Sequence, residues 1–308
     1  MATIRIGMSG WRYPPWRGVF YPEKLTQAKE LEYASLTLSS IELNGSFYSL
    51  QPPASFHAWH DATPAGFVFS VKAPRFITHI RRAKNVDGPL ANFFASGLFA
   101  LKDKLGPILW QFPPNFAFDA ATLGGFLELL PHDTDAALNL AEKHEPMMKG
   151  RTFLDIDRKR KVRHAIEIRN QSFIDEAFVE LLREHRVALV VADTNGEWPR
   201  MEDVTADFVY LRLHGQEALY TGEYSDAALD SWEARIRRWH DGGEPGDARR
   251  TARRAPRSTK ERDIYCYFDN DKKVKSPFDA QRLASRLGID WTARHEGERA
   301  ALMSAAKR

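Results

Sequence analysis

The chain has 308 residues, 43% of them hydrophobic and 12% aromatic, which excludes global disorder and provides material for a large core. Its single cysteine, Cys266, excludes an intrachain disulfide and a multi-cysteine metal site, and suits a reducing compartment. The net charge of +3 is less informative than its distribution. Because the chain opens on a strand-like run without a secretory leader, and no apolar stretch could cross a bilayer, we expect a cytoplasmic protein with no membrane partner.

Eight short apolar runs alternate with helix-length amphipathic segments along the chain. The runs predict strands at 4–9, 40–44, 67–73, 107–112, 164–169, 188–193, 208–214 and 264–269. Between them the pattern predicts helices at 26–38, 53–62, 89–104, 120–130, 173–184, 225–239 and 277–287, whereas 195–207 looks only partly helical. This alternation is typical of a TIM-type (β/α)8 barrel. An open doubly wound sheet is the alternative, but no Gly-x-Gly-x-x-Gly follows the first strand.

Two segments fall outside the alternation and are predicted insertions in a single α/β domain at 1–290, which a C-terminal tail at 291–308 follows. The first insertion, near 139–161, is polar and charged, and is interpreted as a small subdomain or a cover. The second, near 242–262, carries seven Lys/Arg against three acids and few apolar side chains. This composition predicts a flexible surface loop, either a solvated insertion or an arm that contacts phosphates.

Polar side chains are predicted at the ends of the strands. In such a barrel the functional residues lie at the carboxyl ends of the strands, at what we call the mouth. Strand alternation predicts that every strand directs at least one polar side chain inward there. These residues are Ser9, Glu42, Asn44, Lys72, Gln111, Glu167, Arg169, Asp193, Arg212, His214 and Asp269.

The charges of the mouth predict an anionic substrate and acid–base chemistry. The donors suited to a phosphate or carboxylate are Lys72, Arg75, Arg169 and Arg212. The candidate general acids and bases are Glu42, Glu167, Asp193 and His214. The same acids and histidine leave a divalent metal open as a cofactor, although no local metal-ligand spacing is present. In the structural alternative, ion pairs of Glu167 with Arg212 and of Glu42 with Lys72 merely fill the top of the barrel.

Amides and aromatic rings complete the predicted site. Asn44, Gln111 and Asn270 are expected to orient the substrate by hydrogen bonds, beside the carboxylate of Asp269. Trp11 and Tyr48 follow the first two strands, where their rings could stack on a base or a sugar. The alternative for such rings is that they pack a loop onto the barrel.

Several motifs occur in order over nearly the whole chain. They are Gly7–Trp11, Trp16–Pro22, Glu42–Tyr48, Phe69–Arg75 with Thr78 and His79, Gly106–Pro114, Glu167–Arg169, Tyr210–Gly215 and Tyr267–Asp271. As a set they resemble the domain-of-unknown-function 72, or YecE-like, family. The resemblance implies a TIM-type barrel and no particular activity. The chain departs from the family pattern at Asn170 (His expected), Phe173 (Trp expected) and Asp269 (Asn expected), and unlike His, Asn170 cannot take up a proton.

The sequence favours a monomeric enzyme that acts on a phosphate-bearing substrate, a nucleotide or a nucleic acid, by acid–base hydrolysis or lysis at the mouth. One alternative is a non-catalytic nucleic-acid or ligand-binding protein that uses the basic insertion and the aromatic loops. Another is a metal-dependent sugar isomerase or carbohydrate-processing barrel, although the cationic mouth argues against a neutral sugar. Fold analogy alone does not choose among them.

Overall fold

The computed structural model describes residues 2–215, 220, 222–256, 259–270 and 274–305. Eight parallel strands follow one another around a closed barrel, and the last pairs with the first. They are β1 (Ile4–Ser9), β2 (Ser40–Leu43), β3 (Val68–Lys72), β4 (Leu105–Gln111), β5 (His164–Glu167), β6 (Ala188–Asp193), β7 (Phe208–Leu213) and β8 (Asp263–Phe268). The predicted TIM-type barrel is confirmed, and each predicted strand lies within two residues of an observed one.

The helices that surround the barrel include one at each of the seven predicted segments. They are α1 (Glu30–Thr37), α2 (Gly45–Tyr48), α3 (Pro53–Asp61), α4 (Asp87–Ala95), α5 (Ala120–Glu128), α6 (Thr134–Ala141), α7 (Glu176–Glu184), α8 (Asp226–His240), α9 (Ser276–Arg286), α10 (Trp291–Arg294) and α11 (Glu296–Ala305). Of these, α2, α6, α10 and α11 are additional helices that the sequence pattern did not predict. The helix predicted at 89–104 is two elements, α4 and a 3-10 segment at Leu98–Lys104. It breaks at Gly97, whose φ of +131° favours glycine and where a Cβ would lie 2.7 Å from the Phe56 ring.

Tyrosines fill the middle of the barrel. The rings of Tyr210 and Tyr267 lie 5.2 Å apart, and their hydroxyls bond to the hydroxyls of Ser70 and Ser40 at 2.7 Å each. Gly7 is required beside them, because a Cβ there would lie 2.1 Å from the Ser40 carbonyl oxygen. This packed polar layer closes the barrel beneath the mouth.

The basic insertion at 242–262 covers a gap in the helical layer. The segment between β6 and β7 contains no helix, so the outer faces of those strands need another cover. Asp203 in that segment accepts the backbone N–H groups of Thr251 and Ala252 at 2.9 Å each, and Ala252 is buried. The described part of the insertion is therefore anchored against the barrel, which differs from the flexible loop that its composition predicts. Arg257 lies outside the described residues.

The insertion at 139–161 and the C-terminal segment also pack on the barrel. Glu145 and Asn92 of α4 bond to each other twice, at 2.5 and 2.8 Å, so the first insertion is held at the rim of the mouth. The expected tail forms α10 and α11, and Trp291 and Thr292 donate to α1 carbonyl oxygens at 2.8 Å each. Within the described ranges no helix combines the length and the apolar character that a bilayer crossing needs.

Candidate functional site

Arg212 is at the centre of the mouth, on β7, where 1% of its side chain is exposed. Its guanidinium donates to Glu167 at 2.6 Å, to Asp269 at 2.8 Å and to Glu42 at 2.9 and 3.1 Å. Burial opposes the charge of Arg212, but the carboxylates outweigh burial and raise its pKa well above the usual value. Burial likewise opposes the charges of Glu167 and Asp269, yet Arg212 holds the pKa of both carboxyls well below their usual range. All three groups therefore stay ionised at neutral pH.

Glu42 is saturated by hydrogen bonds. Besides Arg212, its carboxylate accepts from the hydroxyls of Ser9 at 2.8 Å and Tyr210 at 2.7 Å, and the side chain is fully buried. Asn44 donates to the same Ser9 hydroxyl at 2.7 Å, while its own carbonyl oxygen has no partner among the described residues. Glu42 thus holds the network in place and has no lone pair turned to a substrate.

Arg169 forms the wall of the mouth next to Glu167. Its Nε donates to the Glu167 carboxylate at 2.9 Å, and Nη2 donates to the Tyr220 hydroxyl at 3.3 Å. The guanidinium lies 3.6 Å from the centre of the Trp198 ring, a cation–π contact. Trp198 and Tyr220 were not among the predicted site residues, since both come from loops that strand alternation does not reach.

Lys72 lies at the end of β3, deep in the mouth and still partly accessible. Its Nζ is 4.3 Å from the centre of the Phe47 ring, and no carboxylate of a described residue forms an ion pair with it. Burial and the nearby Arg212 together lower its pKa to about 8, against the raising effect of Glu42 and Glu167. Lys72 is therefore the mouth cation that is most readily deprotonated.

His79 marks a region of positive potential. Burial, followed by the charges of Lys72, Arg169 and Arg75 in that order, lowers its pKa to about 4 against the opposing effect of Glu167. The imidazole is neutral at pH 7, with Nδ1 2.9 Å from the Thr78 hydroxyl. We call Lys72, Arg75, His79 and Arg169 the cationic edge. The sequence did not predict His79 as a site residue, although it lies in one of the recognised motifs.

His214 is buried beside the network. Its Nδ1 lies 3.2 Å from the Asp269 carboxylate, but neither ring nitrogen has a well-aligned hydrogen-bond partner among the described residues. Trp198 and Tyr220 contact the ring edge-on, with centroids 5.9 and 5.4 Å away. An unsatisfied imidazole at this depth fits a position whose partner is a ligand or a water.

Three predicted site residues do not join the network. Asp193 was predicted to point inward, but on β6 the inward side chains are Ala188, Val190 and Ala192, and Asp193 instead accepts from Tyr224 at 3.1 Å. The Asn270 amide binds Gly222, Asp279 and Ser276, and so anchors a loop. Trp11 is buried, and its ring contacts the Trp59 ring edge-on with 5.8 Å between the ring centroids. This agrees with the alternative in which the ring packs a loop onto the barrel.

The other predicted residues lie at the border of the mouth. Gln111 is buried opposite Glu167 in the strand register, and its carbonyl oxygen has no described partner. Tyr48 is 73% exposed, and Arg75 is exposed without an ion pair to any described residue. No group of three or more His, Cys, Asp or Glu among the described residues could hold a metal ion. Because Arg212 occupies the centre of the carboxylates, the arrangement does not fit the divalent metal that the sequence left open.

The chain matches known proteins of unassigned activity. The family model described as "Protein of unknown function DUF72" matches residues 5–302. The UPF0759 protein YunF of Bacillus subtilis is 32% identical over 37% of this chain and 41% of YunF. The UPF0759 protein YecE of Escherichia coli O157:H7 is 24% identical over 77% of this chain and 82% of YecE.

Solved structures show the same fold. A DUF72 family protein from Thermotoga maritima is 24% identical, with a TM-score of 0.66 over 93% of this chain and 99% of that one. A DUF72 family protein from Enterococcus faecalis is 15% identical, with a TM-score of 0.64 over 93% and 96% of the two chains. At these identities the likeness extends to the barrel and not to its chemistry.

Proposed function

The chain belongs to the DUF72 family of proteins of unknown function, and on that premise we propose that it is an enzyme acting on a phosphate-bearing substrate by acid–base hydrolysis or lysis. The substrate's anion binds at the cationic edge of the mouth. The observation that carries the proposal is that Lys72 and His79 contact the same Phe47 ring, at 4.3 and 5.1 Å from its centre, where the charges of Lys72, Arg169 and Arg75 lower the pKa of His79.

The proposed anion site consists of cationic side chains that are not fully paired with carboxylates. Lys72 and Arg75 have no carboxylate partner among the described residues, and Arg169 uses only part of its guanidinium on Glu167. An anion there would satisfy donors that are otherwise dependent on water. Arg212, expected as a fourth anion donor, is assigned another role, because its donors are taken by carboxylates. It positions Glu167, which in turn positions Arg169.

The acid–base role moves from the carboxylates to Lys72. Hydrolysis or lysis of a phosphate ester needs a group that exchanges a proton near neutral pH. Glu167 and Asp269 remain ionised and Glu42 is saturated, so these carboxylates are poor proton acceptors. With a pKa of about 8, Lys72 is mostly protonated at pH 7 but gives up its proton more readily than an ordinary lysine. Lys72 can therefore bind the anion and donate a proton to the leaving oxygen, and the buried His214 is placed to polarise a bound water or substrate oxygen.

A second candidate function is nucleic-acid binding by the basic insertion. Four of its arginines, Arg249, Arg250, Arg253 and Arg254, are exposed on a segment whose backbone is anchored by Asp203. Anchored cations on an outer surface suit the backbone phosphates of a nucleic acid. The two proposed functions use different residues, so they can be tested independently.

Calorimetric titration with inorganic phosphate tests the mouth. We expect saturable binding to the unmodified protein and about tenfold weaker binding to Arg169→Gln, in line with about 1.5–3 kcal/mol for a hydrogen bond to a charged group. Arg294→Gln is the matched control, since Arg294 lies on α10 and pairs with Asp290. Absence of phosphate binding at millimolar concentration, or equal affinity in the two variants, would reject the anion site.

A further inference from the structure

A cleft of about 930 Å³ adjoins the cationic edge. It lies between the loops that follow β2 and β3 and the rim segment of the 139–161 insertion, with Met147 on the insertion side. Phe47 and Arg75 line the cleft and also belong to the surroundings of Lys72 and His79. The cleft and the cationic edge therefore share a wall, and one ligand can occupy both.

Exposed large hydrophobic side chains are concentrated in the wall of the cleft. Four of the seven exposed large hydrophobic residues of the described chain line it, namely Tyr48 (73% exposed), Ile80 (60%), Met147 (67%) and Phe76 (42%). Scattered single apolar residues on a surface need no explanation, whereas their concentration in one concave place indicates a binding site.

Cations lie among these apolar side chains. Arg75 and Arg81 line the cleft, and neither forms an ion pair with a described residue. The Arg81 guanidinium is 5.3 Å from the centre of the Phe76 ring. The acids Asp87 and Glu145 also line the cleft and balance the charges of the two arginines, so the negative charge of a ligand belongs at the cationic edge and not in the cleft itself. Flat aromatic and guanidinium surfaces next to unpaired cations suit a flat heterocycle linked to a negative charge.

The backbone on one side of the cleft is held in unusual conformations. A π-helical turn spans Phe76–Ile80, and Arg82, Ala83 and Asn85 then have φ of +51°, +63° and +53°. Such residues cost on the order of 1–3 kcal/mol each and cluster at ligand-binding segments. The buried Ala83, whose N–H donates to Ile77 O at 3.1 Å, anchors this loop in place.

We propose that the cleft binds the base of a nucleotide whose phosphate lies at the cationic edge. This inference rests on the proposed function and narrows its substrate from phosphate esters in general to nucleotides. A sugar phosphate would leave the exposed surfaces of the Tyr48 and Phe76 rings in water, whereas a base can stack on them. The volume is sufficient for a complete mononucleotide.

The test compares nucleoside monophosphates with their chemical components. Inorganic phosphate, ribose 5-phosphate, the 5′-monophosphates of adenosine, guanosine, cytidine and uridine, and the four nucleosides are titrated calorimetrically. We expect at least one nucleoside monophosphate to bind about tenfold or more tightly than ribose 5-phosphate. Tyr48→Ala and the uncharged Ile80→Asn should each remove most of that difference without changing the affinity for ribose 5-phosphate. Val19→Ala, at an exposed apolar residue that does not line the cleft, should change neither affinity.

The outcomes separate the two proposals. Equal affinity for ribose 5-phosphate and all four nucleotides overturns the base site while the anion site stands. Nucleosides that bind as tightly as nucleotides, with no phosphate binding, overturn the anion site and leave base recognition by the cleft. Failure of every ligand overturns both. A nucleotide preference that survives both Tyr48→Ala and Ile80→Asn places the base elsewhere and overturns this assignment.

Discussion

The Arg212 guanidinium donates to the Glu167 carboxylate at 2.6 Å, and each side chain is only 1% exposed. A buried ion pair is weak evidence for net stability, because desolvation of both charges offsets their attraction. Here, however, Glu167 also binds Arg169, and Arg169 belongs to the cationic edge. The pair therefore links the core of the barrel to the wall of the proposed anion site.

Removal of the central guanidinium should be strongly destabilising. Arg212→Met leaves three carboxylates buried without their shared cation, and we expect a loss of about 3–5 kcal/mol in the free energy of unfolding at pH 7. Arg294→Met, which breaks the exposed pair with Asp290, should cost at most about 1 kcal/mol. Urea unfolding followed by circular dichroism measures both. A loss below that of the control would mean that the network does not support the barrel.

Stability should fall in acid. The pKa values of Glu167 and Asp269 are lowered in the folded protein, whereas in the unfolded chain they are about 4.3 and 3.9. Their contribution is fully present above those unfolded values and is lost as the pH falls through them towards the folded values. We expect a steady melting temperature from pH 7 to 5 and a steep fall below about pH 4.

The same scan in Arg212→Met should reverse the trend. Without the guanidinium, the largest charge that opposes burial is lost, and only Arg169, His214 and Lys72 still favour ionised Glu167 or Asp269. The pKa of both carboxyls therefore rises, and protonation relieves the folded state. The variant should gain stability as the pH falls from 7 to 5. An unchanged profile would show that other groups govern acid unfolding.

The sequence alone predicted the eight strands and most of the side chains that point into the barrel. Parallel strands buried on both faces appear as short apolar runs, and the polar residue at each end then gives the direction of the side chains. The predicted inward direction of the Asp193 side chain was wrong. Residues 188–192 are apolar on both faces of the strand, so their alternation does not show which face points inward. The ion pair of Glu167 with Arg212 was foreseen as an alternative, but Glu42 binds Arg212 and not Lys72.

Other features depend on tertiary contacts that no local pattern encodes. His79 belongs to a turn beyond β3, where the period of a strand no longer applies. Asn270 looked like a mouth residue, yet Asp279 of α9 accepts its amide N–H and holds it. The basic insertion looked flexible because its composition does not show that β6 and β7 lack a covering helix.

Anion binding should raise the pKa of His79. Burial and three cations hold the His79 pKa at about 4 in the free protein. An anion at the cationic edge would favour the imidazolium and so raise this pKa. NMR titration of the imidazole with and without saturating phosphate measures the change. His57, on α3 and away from the mouth, is the internal control. No change at His79 while phosphate binds would place the anion elsewhere.

Lys72 should react as an amine of lowered pKa. With a pKa of about 8, its neutral fraction rises steeply between pH 7 and 9, whereas an ordinary lysine titrates near about 10.4. Limited modification with an amine reagent, followed by peptide mass spectrometry, should give a rate profile with a midpoint near pH 8. Lys149, exposed on the 139–161 insertion, is the comparison residue. A midpoint above pH 10 at Lys72 would remove it as the proton-transfer group.

The basic insertion can be tested without removing it. Deletion of 243–259 would leave the buried Asp203 carboxylate without its two backbone partners, so loss of nucleic-acid binding by a deletion variant would be ambiguous. In a triple variant, Arg249, Arg253 and Arg254 are each changed to Gln, and the anchored backbone is kept. If the insertion contacts phosphates, the slope of log affinity against log salt should fall by about 3. The free energy of unfolding of the triple variant should be unchanged. Asp203→Ala leaves two backbone N–H groups without their acceptor, and should lower the free energy of unfolding by about 1–3 kcal/mol. An unchanged salt slope in the triple variant would leave the mouth as the site for any nucleic-acid contact.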